Sequence, residues 1–196
     1  FNVNVQASLN LLDAVRNAGI TAFVFSSSAA VYGSQSALYL GEDLPSDPIN
    51  PYGATKVAFE LALRSYAESS DLRAMALRYF NVAGSTERIS ERHAPETHLV
   101  PRLMNAAQSG EPFELYGADY PTPDGSALRD YVHVADVAAA NVAAVTFLLR
   151  ESTKPGYAAV NIGSGVGTSV KEAIRAVERS TKRTINVVVK PRRPGD

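Results

Sequence analysis

Tyr52 and Lys56 stand four residues apart in NPYGATKVAFE, residues 50–60, just after a proline that suits the first turn of a helix. A helix carries both side chains on one face, and that pair has a definite chemistry. An unperturbed phenol, with a pKa of about 10, is a poor base at neutral pH, whereas a fixed ammonium nearby favours the phenolate. Such a tyrosine can take a proton from an alcohol. A serine hydroxyl could orient the same alcohol, and Ser26, Ser27 and Ser28 follow the apolar run AFVF, where a parallel strand delivers its residues to the carboxyl edge of a sheet. A bare YxxxK also arises by chance on ordinary helices, so its weight comes from context. The serine-bearing strand lies in the preceding β/α unit, and both elements feed one sheet edge.

The elements that must position these groups follow from the hydrophobic pattern. Val5, Leu9, Leu12 and Val15 recur at helical spacing within 4–18, and Gly19 ends the run. The aromatic and branched stretch at 22–27 predicts a strand, and Pro45, Pro48 and Pro51 break up the segment from Gly33 to Pro51. Helix is expected again over 52–69 and strand over 72–80. Alternating helices and strands with short connections predict an α/β fold built on a parallel sheet. From Asn81 the texture changes, since 84–98 is polar and aperiodic, and a smaller C-terminal α/β lobe is expected over 81–196. That lobe should hold a short helix from Leu99, a strand near 113–116, a helix over 134–150, a strand at 158–163 returning to the main sheet, and a last strand at 185–190. Ser169 and Glu172 are spaced as a capping box for one more helix.

Composition narrows the partners. The 196 residues are 45% hydrophobic with a net charge of -1, which gives a nucleic acid nothing to bind and favours a small-molecule or protein partner. Cysteine is absent, so there is no disulfide framework and no thiolate metal site, as suits a reducing cytoplasm, and no metal is expected. No apolar run approaches the roughly 20 residues of a membrane span. The chain opens on Phe1 and closes on PRRPGD, and it reads as an internal piece of a longer protein.

Longer motifs then converge. SSSAAVYG (26–33), NPYGATK (50–56), LRYFNVAG (77–84), ETHLVP (96–101), YPTPDGSALRDYVHVADVA (120–138), NIGSGVGTSV (161–170) and PRRPGD (191–196) together resemble the extended short-chain dehydrogenase/reductase family, and within it the members that epimerise UDP-sugars at C4. The resemblance covers nearly the whole chain. It implies a Rossmann-like sheet with its first strands missing, residues 1–80 forming the later part of an NAD-binding domain and 81–196 a nucleotide-sugar lobe. It implies NAD as cofactor, Tyr52 as proton shuttle, Lys56 on the nicotinamide ribose and Ser28 on the reacting hydroxyl of the sugar. A strand-end cap is the plain alternative for Ser28. Asn4, Tyr79 and Phe80 match cofactor-contacting positions, although Phe80 could as easily be core.

On the substrate side the resemblance places Asn81, Arg129 and Arg193 at the diphosphate, Asp196 at a ribose hydroxyl, and Leu99 and Tyr116 at the uracil ring. Asp130 is read as making an internal pair. His98 stands where many relatives have asparagine, and a surface or capping role competes with a sugar-diphosphate contact. The implied reaction interconverts UDP-galactose and UDP-glucose through a 4-keto sugar, in a homodimer.

The glycine-rich dinucleotide turn has no counterpart here. GSGVG at 163–167 reads as a strand-to-helix turn. Ala29 and Ala30 occupy the place of the acidic pair that a 4,6-dehydratase of the same family needs. A sister epimerase or decarboxylase on another nucleotide sugar, and a non-catalytic NAD-binding remnant, remain the other readings.

Overall fold

Helical periodicity at the start of the chain produces a π-helical turn, Asn2–Ala7, that runs into α1, Ser8–Asn17, where Leu12 and Val15 are the buried positions. β1 follows at Ala22–Ser28, then a 3-10 turn at Ala29–Val31, α2 at Pro51–Glu68 and β2 at Arg73–Tyr79. The computed structural model describes residues 1–35, 39–91 and 94–193. They divide into two compact units, Phe1–Phe80 with Ala135–Gly163 and Asn81–Val134 with Ser164–Asp196.

The first unit is a three-stranded parallel sheet in the order β1, β2, β6, the last being Gly156–Ile162. Residues on alternate sides of β2 serve different cores, as strand geometry requires. Ala74 and Ala76 pack with Leu12, Val15, Phe25, Phe59 and Leu63 from α1, β1 and α2. Met75 and Leu77 pack on the other face with Ala144 and Leu148 of α4, Val134–Leu148. A sheet covered on both faces needs apolar residues at nearly every position, and β2 is buried at Ala74, Met75, Ala76, Leu77 and Arg78. The arginine in that run is held by Glu60 of α2, at 2.7 Å.

The second unit holds β3 (Asn81–Ala83) parallel to β5 (Leu128–His133), and β7 (Gly167–Ser169) antiparallel to β5. A separate pair joins β4 (Phe113–Tyr116) to β8 (Val187–Lys190) in parallel. α3 (Leu99–Ser109) and α5 (Val170–Thr181) supply Leu103, Ala106, Ala107, Ile174 and Val177 to a core with Phe113, Leu115 and Ile185. The capping box at Ser169 and Glu172 is present with both of its bonds.

Two expectations are corrected. Helix α4 goes with the first unit from Ala135 onward rather than with the C-terminal lobe, because Val137, Ala144 and Leu148 turn inward and its last turns cover β2. The glycine-rich turn does not lead straight into a helix, since β7 intervenes before α5. Among the described residues no helix is long and apolar enough to cross a membrane.

Asp124 ties the second unit together. It accepts from the Ser169 hydroxyl at 2.6 Å and from the Ser126 amide and hydroxyl at 3.0 and 2.7 Å, and the Ser169 and Ser126 bonds hold its carboxyl down to about 2. A carboxyl depressed in the folded state contributes stability that is complete above its unfolded value near 4 and is lost as pH falls through its folded value. Asp124→Ala should therefore cost about 1–2 kcal/mol at neutral pH by urea denaturation. The deficit relative to wild type should shrink between about pH 4 and pH 2, and a deficit that stays constant over that window would contradict the assignment.

Candidate functional site

Asn50 caps α2 by accepting the Gly53 amide at 2.8 Å, and Pro51 enters the first turn, so the sequence sets the register that places Tyr52 and Lys56. Tyr52 is half exposed. The Lys56 ammonium lies 5.5 Å from the Tyr52 ring centre and 4.9 Å from that of Phe25, and it donates to the carbonyl of Ser26 at 2.9 Å. Burial against this surface pushes the Lys56 amine below its ordinary value.

Ser28 ends β1. Its hydroxyl oxygen accepts the Ala30 amide at 3.2 Å and so caps the 3-10 turn, which leaves the hydroxyl proton for another acceptor. The capping reading and the functional reading of Ser28 are therefore compatible. Gly53, next to Tyr52, makes the approach of α2 possible, because a methyl group there would run into the Ala30 carbonyl and Pro48. The sequence contained this glycine inside NPYG, but nothing in the pattern said which backbone it faces.

Ser28 and Tyr79 are register partners at the ends of β1 and β2. The Tyr79 hydroxyl is bonded to Ser26 Oγ at 3.0 Å and to the Asn141 side chain of α4. Phe80 follows the strand half-buried, its amide donating to Ile162. Asn4 donates to the Thr55 hydroxyl at 3.1 Å, and Thr55 donates to the Tyr52 carbonyl at 2.7 Å, so Asn4 braces the turn of α2 that carries Tyr52. An ammonium with N–H groups beyond the one given to Ser26, a half-exposed phenol and a serine hydroxyl, all from the carboxyl ends of parallel strands and the helix between them, fit the nicotinamide and ribose end of a dinucleotide.

The second unit contains a groove of about 190 Å³ lined by Asn81, Leu99, Tyr116, Arg129 and Arg193 among others. Five of the residues singled out from the sequence thus meet in one place. Arg193 lies over the Tyr116 ring at 3.8 Å, Arg129 donates to the Leu128 carbonyl at 2.8 Å, and Asn81 donates to the Asp130 carbonyl at 3.2 Å. Thr97, Arg102 and Tyr131 also line it and were not readable from spacing. His98 instead flanks α3 with its ring 3.3 Å from Glu91 and 3.5 Å from Glu96. Asp196 lies outside the described residues.

Asp130 makes its internal contacts with backbone and hydroxyl donors. It accepts from the Ser164 amide and hydroxyl and from the Gly165 amide, at 2.7 to 2.9 Å. Those amides belong to the glycine-rich turn, which is thereby filled by the protein's own carboxylate. Among the described residues no cluster of His, Asp and Glu could hold a metal ion.

Comparison with known proteins gives the family. Residues 1–163 match the model described as the NAD dependent epimerase/dehydratase family. The chain is 45% identical, over its whole length and 60% of the relative's, to a UDP-glucose 4-epimerase of Rhizobium meliloti. It is 44% identical, over 98% of itself and 58% of the relative, to one of Corynebacterium glutamicum. The crystal structure of UDP-glucose 4-epimerase from Brucella ovis in complex with NAD superposes with a TM-score of 0.93 at 45% identity, covering the whole chain and 60% of that protein. The enzyme from Bifidobacterium longum in complex with NAD+ and UDP gives 0.90 at 35% identity, covering the whole chain and 59% of that protein. The chain spans about three fifths of the length of these relatives.

The seating of Lys56 is open to direct measurement. With the lysines of the intact protein carrying ¹³C-methyl groups, an NMR titration should show Lys56 losing its proton below the ordinary value of 10.5. A midpoint at or above that value would mean that the amine is solvated and not packed against Phe25.

Proposed function

The chain belongs to the NAD dependent epimerase/dehydratase family, and on that premise we propose that the intact protein is an isomerase that inverts C4 of a UDP-hexose, interconverting UDP-galactose and UDP-glucose. The observation that carries the reading is the seating of the Lys56 ammonium between the Tyr52 ring and the Ser26 carbonyl at the strand end that bears Ser28. Ala29 and Ala30 after Ser28 offer no acid for dehydration.

Bound NAD would supply the acceptor of the C4 hydride and, on the opposite face, its donor. Tyr52 removes the proton of the 4-hydroxyl as the hydride leaves C4, which gives a 4-keto sugar. The Ser28 hydroxyl orients the reacting oxygen by donating to it, and Lys56 stabilises the phenolate form in which Tyr52 accepts that proton. After the hexose has turned over, Tyr52 returns the proton to the 4-oxygen. Asn4, Tyr79 and Phe80 brace the cofactor side.

Turning a hexose over requires that the sugar be held loosely and the nucleotide tightly. In the second unit Arg129 and Arg193 present guanidinium forks suited to a diphosphate, and Asn81 supplies an amide. Leu99 and Tyr116 offer apolar and aromatic surface to the uracil, with His98 at a sugar-diphosphate contact and Asp196 at the ribose. The first unit is thus the reaction and NAD unit, and the second the nucleotide unit. A homodimer in the cytoplasm completes the proposal. Exposed Leu9, Leu11 and Leu61 on α1 and α2 support the dimer, and the absence of cysteine supports the compartment.

Replacing the proton shuttle tests the reading. In the intact protein Tyr52→Phe should lower turnover of UDP-galactose about 10³-fold with KM within a few-fold, while Arg129→Ala should raise KM about 10–100-fold. Undiminished epimerisation by Tyr52→Phe would remove the assignment of the base.

A further inference from the structure

Glu60 lies four residues beyond Lys56 and eight beyond Tyr52, on the stripe of α2 that carries them both. Its carboxylate and the Arg78 guanidinium are almost wholly buried, with 7% and 6% of their side chains exposed. A buried ion pair is weak evidence for stability, because apolar residues of the same volume often do as well or better, so its place in the fold calls for another account.

The contacts supply one. Glu60 Oε1 accepts from the Ser27 hydroxyl at 2.5 Å and from Arg78 Nε at 3.2 Å, and Oε2 accepts from Arg78 Nη2 at 2.7 Å and from the Tyr157 hydroxyl at 3.0 Å. Arg78 Nη1 donates to the Tyr32 hydroxyl at 2.9 Å, and that hydroxyl donates to Asn161 Oδ1 at 2.7 Å. Tyr32 is fully buried, with its ring under the guanidinium at 5.0 Å. Ser27 immediately precedes Ser28, and Tyr32 closes the 3-10 turn that Ser28 opens. The two flanks of Ser28 and the face of α2 that presents Tyr52 are therefore referenced to one bidentate charge pair.

We propose that Glu60, Arg78 and Tyr32 are positioning residues, which fix the mutual geometry of the Ser28 hydroxyl and the Tyr52 phenol without touching substrate. The proposal rests on the epimerase reading for its kinetic consequence, but its structural consequence stands apart from any substrate. Glu60 sets the rotation of α2 about its axis, since a turn of the helix would pull the carboxylate off Ser27 and Arg78. Tyr32 sets the height of the turn after Ser28. Displacement of reacting groups by about 1 Å can cost 10²-fold in rate, so a loosened frame should be visible in turnover.

The test uses the intact protein with two variants, Tyr32→Phe and the paired Glu60→Leu with Arg78→Met, which removes both charges together. Melting temperature, kcat and KM for UDP-galactose, and amide hydrogen exchange over residues 28–33 are measured for each. The expected result is a melting temperature within a few degrees of wild type, with KM within about twofold. Turnover should fall about 10-fold in Tyr32→Phe and about 100-fold in the paired variant, and exchange over 28–33 should quicken about 10-fold. Tyr32→Phe keeps the buried ring, so it decides the matter even where the paired variant does not fold. Wild-type turnover in Tyr32→Phe overturns the proposal, as does a loss carried entirely by KM. Unchanged exchange over 28–33 overturns it whatever the protein does with sugars. A wild type that turns over no UDP-hexose, with quickened exchange in both variants, removes the epimerase reading and leaves the frame in place.

Discussion

A carboxylate and a guanidinium taken out of water each lose several kcal/mol of hydration, and the fold recovers it only where every lone pair and N–H direction finds a partner. Glu60 and Arg78 meet that demand with bonds from Ser27 and Tyr157 and to Tyr32 and the Glu42 carbonyl. Burial alone would push the Glu60 carboxyl up, but Arg78 and the hydroxyl donors outweigh it and hold it below its usual range. Tyr157 is pushed the other way, by burial and by the negative charge it serves, and remains a donor. Because the partners come from β1, β2, β6, α2 and the segment after the 3-10 turn, no one of these elements can shift without unpairing a buried charge. The apolar cores on either side of β2 are tolerant by comparison, since small displacements there cost only contact.

The second unit solves a similar problem with carboxylates facing backbone. Asp130 occupies the amides of the turn at Ser164 and Gly165, and Asp124 bridges Ser126 of the segment before β5 to Ser169 at the cap of α5. A glycine-rich turn offers amides to an anion, and here the anion belongs to the protein. The glycine-rich turn is closed by its own neighbour on β5, whereas Arg129 and Arg193 line the groove.

Much of this was legible and some was not, for reasons that differ by element. The strand at 113–116 and the cap at Ser169 followed from a short alternating run and from a capping box, which are local patterns. β3, β5 and β7 were missed because they are short, half-exposed and defined by pairing with segments 30 to 50 residues away, which no window contains. The membership of α4 in the first unit depends on which strand its inward residues meet, and an alanine-rich helix states no preference. Tyr52 and Lys56 carried their chemistry in their types, while the resemblance chose Ser28 among three serines and gave the groove residues. Glu60 did not announce itself, since a glutamate on a helix ordinarily faces water. Its burial follows from Arg78, which itself reads as a break in an apolar strand until its partner is known. Arg192 was opaque in the sequence: it pairs with Asp119 at 2.9 Å and covers Tyr120, while its neighbour Arg193 covers Tyr116 in the groove.

The placement of cation types then has a common logic. At Arg78 the charge must persist under burial, and a guanidinium, which keeps its proton and offers a planar fork, can satisfy both Glu60 oxygens at once. At position 56 the useful property is compactness. Burial lowers the lysine's proton affinity, and a compact ammonium can donate to the Ser26 carbonyl while standing beside a neighbouring phenol. A lysine at 78, a single ammonium, could not bridge both carboxylate oxygens and reach Tyr32 as the guanidinium does. The two cations serve neighbouring residues of one strand end, Lys56 by donating to the Ser26 carbonyl and Arg78 through the carboxylate that accepts from Ser27.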